Sequence, residues 1–150
     1  YGGLVGDGAW TYPVGEIDDE KKRLLKATEE ALFAGIDKMR SGNILDDVGE
    51  AIEKVAKREH LGIVREYGGH GVGHEMHENP FVPNFGKYGT GIELKKGMVI
   101  AVEPMLTAGD YHVSMLDDDW TIVTDDYSPS AHFEHTVAIT EDGYEILTGE

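Results

Sequence analysis

Between Tyr67 and His77 the chain places four glycines and three histidines in eleven residues, Tyr67-Gly-Gly-His-Gly-Val-Gly-His-Glu-Met-His77. Histidine is the commonest protein ligand for transition metals and the usual proton carrier near neutral pH. Glycines at that density let a backbone come close to something bound. Carboxylates elsewhere could join this segment. Glu103 ends the apolar run Met98-Val-Ile-Ala-Val102 just before Pro104, and Glu134 lies in Ala131-His-Phe-Glu-His-Thr-Val137. An ionised carboxylate entering a core needs a cation or several hydrogen-bond donors to offset its desolvation. Asp7, between Gly6 and Gly8, reads either as a turn residue or as a ligand on a strand end. Two such glutamates, this aspartate and a histidine in a glycine loop indicate one divalent metal site or a paired one. Oxygen-rich ligands with a single imidazole favour harder ions such as Mn²⁺, Fe²⁺, Co²⁺ or Zn²⁺. His74 reads as a loop surface histidine, and His60 as a surface cation at a helix end.

The elements that must hold these residues show as changes of period. The opening stretch to Gly15 mixes aromatic and β-branched residues with glycine, predicting a strand pair with a sharp bend. Asp18, Asp19 and Glu20 then suit the first turn of a helix. Leu24, Leu25, Thr28, Ala31, Leu32, Ile36 and Met39 follow at helical spacing as a core-facing stripe. A second helix is expected from about Leu45 to His60, with Val48, Ile52, Val55 and Ala56 inward. After it come a short strand over 63–67, the glycine-histidine loop, and an irregular proline-stiffened connection over 79–84. Strands are expected at 98–102, 111–115, 121–123, 133–139 and 144–147. Two long helices followed by a run of strands predict an α+β fold with a mostly antiparallel sheet.

Composition narrows the function classes. A chain of 150 residues is expected to form one domain, 1–150, with a core that needs no disulfide or structural metal. Cysteine is absent, which excludes thiolate metal sites and a cysteine nucleophile and fits a reducing compartment. Thirteen Lys+Arg against 29 Asp+Glu give a net charge of −16, which repels nucleic acid and anionic membrane surfaces. No apolar run approaches the roughly 20 residues of a membrane span.

Taken in order, Gly6-Asp7, Tyr67-Gly-Gly-His-Gly-Val-Gly73, Met76-His-Glu-Asn-Pro80, Val102-Glu-Pro-Met105, Trp120-Thr121 and Phe133-Glu-His-Thr136 closely resemble type I methionine aminopeptidases. The resemblance implies the pita-bread fold, two pseudo-symmetric halves around a dinuclear centre, and removal of N-terminal methionine from peptides and nascent polypeptides in the cytoplasm. It implies Asp7, His70, Glu103 and Glu134 as ligands of two divalent ions (Co, Mn, Fe or Zn). Glu103 would also handle the proton of the attacking water, and His77 would contact the scissile amide. Met76, His77 and Trp120 would contact substrate.

Departures from the pattern carry expectations of their own. The family's first metal aspartate and its N-terminal histidine have no counterpart, so the chain is expected to correspond to the C-terminal 60% of the family domain, lacking much of its N-terminal half. One ion, or weak binding, is then expected, with weak or no activity, and self-association through an uncovered face. Gly68, Gly8-Ala9 and Met76 stand where cysteine, Thr-Ser and an aromatic are usual. A catalytically silent pita-bread module that binds peptides or protein partners is the alternative. Against it, every ligand position within the chain is intact.

Overall fold

The computed structural model describes residues 1–149. A two-residue strand, β1 (Gly8–Ala9), precedes two helices, α1 (Asp19–Ile36) and α2 (Asp46–Arg58). Short strands follow: β2 (Gly62–Ile63), β3 (Gly69–Gly71), β4 (Glu78–Val82), β5 (Val99–Val102), β6 (Met105–Thr107) and β7 (Val113–Met115). The series ends with β8 (Ile122–Thr124), β9 (Ser130–His132), β10 (Glu134–Ile139) and β11 (Tyr144–Ile146).

α1 starts where the acids predict. The Asp18 side chain accepts the Lys21 backbone N–H at 2.9 Å, satisfying one of the free donors of the first turn. Its inward stripe is buried apart from the half-buried Leu25, and it includes the polar Thr28, whose hydroxyl donates to the Leu24 carbonyl at 2.7 Å. That bond removes the penalty of burying a free hydroxyl. α2 buries Val48, Ile52, Val55 and Ala56 and stops at Arg58, after which His60 turns the chain at φ 55°. Both helices share one core with Ile100, Val102, Val137 and Ile139 of the sheet.

The main sheet runs β1-β10-β5-β3-β4, with β11 also on β10. A smaller sheet, β2-β6-β9, and the β7–β8 hairpin stand beside it. Every ladder among the described residues is antiparallel, as the α+β reading expects.

Several elements differ from expectation, among them the connection expected to be irregular over 79–84, most of which is the edge strand β4. The opening stretch supplies only β1, paired with β10 rather than with a partner of its own. The strand expected over 63–67 shrinks to Gly62–Ile63. The glycine-histidine segment is not a free loop: Gly69-His70-Gly71 is a buried strand between β5 and β4. Pro80 lies within β4, at the sheet edge, where a missing N–H costs no ladder bond. The glycines accordingly do a different job from the one expected. A Cβ on Gly69 would collide with the Ala101 carbonyl oxygen, and one on Gly71 with the Asn79 carbonyl oxygen. They let strand backbones approach one another.

Gly69→Ala should therefore destabilise the chain by about 1–3 kcal/mol, the usual cost of overpacking. Gly6→Ala, whose Cβ would meet only Thr148 Cγ2 at 3.7 Å, should stay within about 0.5 kcal/mol. Urea denaturation of the two variants checks the difference.

Candidate metal centre

Residues directly opposite in an antiparallel pair share a face, and alternate residues along a strand return to it. His70 lies opposite Ala101, and Ala101 opposite Thr136. Glu103, two residues past Ala101, shares that face. Continuing the β5–β10 register one step beyond His135–Val102 sets Glu134 beside Glu103. Asp7, one step before the Gly8–His135 pair, faces Thr136. Neighbouring strands β1, β10, β5 and β3 thus deliver Asp7, Glu134, Glu103 and His70 to one face. The opposite face carries Ile100, Val102 and Val137 into the helix-packed core.

The local bonds aim these side chains. His70 Nδ1 lies 3.0 Å from the Gly71 carbonyl oxygen. A carbonyl only accepts, so Nδ1 carries a hydrogen, which leaves Nε2 as the ring nitrogen that can turn to a cation. Nε2 faces Glu103 Oε1 at 3.3 Å and Asp7 Oδ2 at 3.8 Å. Asp7 is clamped by Thr136, whose Oγ1 accepts the Asp7 N–H (2.9 Å) and donates to the Asp7 carbonyl (2.7 Å). Glu103 is held through its backbone, where the buried Asn84 side chain donates to its carbonyl at 2.9 Å.

Glu134 shows what the site lacks within the protein. It is 5% exposed, and its Oε1 has no hydrogen-bond partner among the described residues. Burial, followed by the negative charges of Glu103 and Asp7, pushes its carboxyl up to about 8. An orphaned buried oxygen, crowded carboxylates and an imidazole nitrogen placed among them form a donor set that fits a divalent cation. Ligand atoms of His70, Glu103 and Glu134 lie within 4.8 Å of one another, and so do those of Asp7, His70 and His77.

The other expected residues divide. His77 is exposed but stands beside the centre, its ring 4.3 Å from that of His70. Both rings line a cleft of about 640 Å³ with Tyr67, Phe81 and Glu103. Met76 and Trp120, expected at the substrate pocket, are 50% and 85% exposed and line neither cleft bordering Glu103. Met76 sits in the connection between β3 and β4. Trp120 stands at the β7–β8 turn, its N–H bound to Asp118 Oδ1 at 3.1 Å. His74 stays outside, exposed, with Nδ1 3.0 Å from the Gly3 carbonyl oxygen. Sequence reasoning passed over Asn84 and His132. His132 Nε2 lies 3.3 Å from Glu103 Oε2. Its place two residues before Glu134 was the available signal, because period-2 spacing can bring such residues to one side.

Comparison with known proteins identifies the family. Residues 1–141 match metallopeptidase family M24, and the chain belongs to that family. It is similar to methionine aminopeptidase 1 of Bacillus subtilis, 50% identical over 146 residues that cover 97% of this chain and 59% of the relative. The crystal structure of methionine aminopeptidase from Thermotoga maritima superposes with a TM-score of 0.97 at 49% identity, covering 100% of this chain and 60% of that one. Prolidase from Pyrococcus furiosus, 24% identical with a TM-score of 0.75, shares the fold. The fold is therefore the pita-bread fold, and the chain spans about 60% of the length of the methionine aminopeptidases it matches. Membership in a metallopeptidase family implies use of a divalent metal.

Glu134 sets a pH signature. Its folded carboxyl, at about 8, lies above the ordinary 4.5, so between these values the folded chain holds a proton that the unfolded chain has lost. The associated stability is full below about pH 4.5 and is lost as pH rises through about 8. Thermal melts of the metal-free chain in EDTA should show this slope from pH 5 to 8, and Glu134→Gln should flatten it. Added Mn²⁺ should displace protons at pH 7, detected by calorimetry in buffers of different ionisation enthalpy.

Proposed function

We propose that the chain carries methionyl aminopeptidase chemistry: water attacks the carbonyl carbon of the first peptide bond and releases the N-terminal methionine of a peptide or nascent polypeptide. The convergence of Asp7, His70, Glu103 and Glu134 on one sheet face, beside a cleft that His77 lines, carries the proposal. Similarity to methionine aminopeptidases supports the substrate class. Those four residues would hold divalent metal of Co, Mn, Fe or Zn, as one ion or as a weakly bound pair. When bound, such ions acidify water, polarise a carbonyl and offset negative charge.

The protein groups then have distinct tasks. Glu103 borders the cleft and takes the proton of the attacking water as general base. It returns that proton to the departing amine nitrogen as the C–N bond breaks. His77 points a ring nitrogen at the scissile amide and steadies the oxygen of the tetrahedral intermediate. Tyr67 and Phe81 wall the cleft. We assign Met76, next to His77, and Trp120, at the hairpin tip, to substrate contact at the rim of the site, outside the clefts that border Glu103. We place this chemistry in the cytoplasm, where nascent N-termini emerge, within one cooperatively folded domain.

A Met-Ala-Ser hydrolysis assay with added Co²⁺ or Mn²⁺ tests the proposal. Wild type should exceed Glu134→Ala in a metal-dependent way, and Glu103→Gln should lower kcat by about 10²–10⁴-fold with metal still bound. Equal background from wild type and Glu134→Ala would sink the catalytic claim and leave a silent peptide-binding module. Tyr12, Val14 and Phe33 are exposed, and Tyr12 and Phe33 line an open cleft with Trp10 and Ile146. Apolar surface of this kind favours self-association. Sedimentation at micromolar concentration should give a dimer mass; a monomer would refute it.

A further inference from the structure

Glu103 stands between two imidazoles. Its Oε1 faces His70 Nε2 at 3.3 Å, and its Oε2 faces His132 Nε2, also at 3.3 Å. His132 Nε2 is buried, has no hydrogen-bond partner among the described residues, and lies 4.0 Å from Glu134 Oε2. The backbone beneath this ring is fixed. His132 pairs with Met105 in the β9–β6 ladder, its N–H donates to Thr11 Oγ1 at 3.0 Å, and its carbonyl accepts from Thr11 Oγ1 at 2.7 Å. The ring is thus held where Nε2 meets carboxylate oxygens, which in their ionised form only accept. A second cleft, of about 350 Å³, opens on this side of Glu103 and is walled by Val64, Met105, Val113 and Ile122.

We propose that His132 is the positioning residue of Glu103. Its Nε2–H donates to Glu103 Oε2, turning the carboxylate so that Oε1 stays toward His70 and the cation. The present 3.3 Å contact is within reach but not aligned as a hydrogen bond, and the proposal requires Nε2–H and Oε2 to align when the carboxylate turns to a cation. Bonds of this kind fix the orientation of a ligating carboxylate and raise the affinity of the whole site. The inference rests on the metal reading above, and its test separates the two.

Calorimetric Co²⁺ titration of the full chain, with wild type, His132→Leu and His132→Gln compared, is the test. His132→Leu should bind about 10–100-fold more weakly. His132→Gln, which keeps an N–H donor, should recover most of that loss and retain the wild-type visible absorption bands of bound Co²⁺. Wild-type affinity in His132→Leu overturns the proposal. So does a failure of His132→Gln to rescue binding, and altered Co²⁺ bands in that variant identify His132 as a direct ligand instead. No binding by wild type overturns the metal reading itself, and this inference with it. Circular dichroism confirms folding, and His132→Phe, a flat ring without a donor, replaces His132→Leu if the latter unfolds.

Discussion

Three carboxylates grouped around one imidazole cannot all ionise in a buried site without a counter-charge. Asp7, Glu103 and Glu134 meet that limit, and burial, followed by the charges of Glu103 and Asp7, pushes the Glu134 carboxyl up to about 8. Like charges at short range and low solvation both favour the protonated form. A divalent cation reverses both effects, because it favours the ionised form and takes up the oxygen left without a partner. Binding and protonation at this centre are therefore one equilibrium, and the chain is built for the metal-bound side of it.

The backbone sustains that crowding because the candidate ligands lie within strands β3 and β10 or directly at the ends of β1 and β5. Antiparallel register carries His70, Glu103, Glu134 and Asp7 to one face, and it carries Ile100, Val102 and Val137 to the other. A one-residue slip in any of these strands would exchange the two sets, putting a carboxylate into the core and a valine at the metal. The core under the helices thus enforces the geometry of the site. Gly69 and Gly71 contribute by letting β3 lie close to β5 and β4, and the Thr136 hydroxyl ties Asp7 to the strand that bears Glu134.

Much of this was legible in the sequence. The helices showed through caps and 3.6-residue period, and the apolar run before Glu103 marked β5. His70, Glu103, Glu134 and Asp7 stood out as polar groups in apolar or glycine-rich settings, and the resemblance to type I methionine aminopeptidases joined them. The short strands were harder. β1 and β2 have two residues each, and β3 is glycine-histidine-glycine, so none carries enough alternation to show a period. Such strands exist because their neighbours pair with them, and pairing is long-range information. For the same reason the glycines were first assigned to a ligand when they serve adjacent backbones. His132 was missed because its partner, Glu103, lies on another strand.

The long-range field adds a final constraint. A net charge of −16 raises the local concentration of cations around the whole chain. It attracts divalent metals, and it attracts the protonated amine that begins a peptide, while a free carboxylate is repelled. The cleft beside His70 and His77 is bordered by Glu66, Glu78 and Glu103, so this bias sharpens toward the centre. A substrate entering amine-first would bring positive charge to the region where the protein has gathered negative charge. The carboxylate excess that calls for a cation thus also favours, in the proposed reaction, a substrate that presents its amine first.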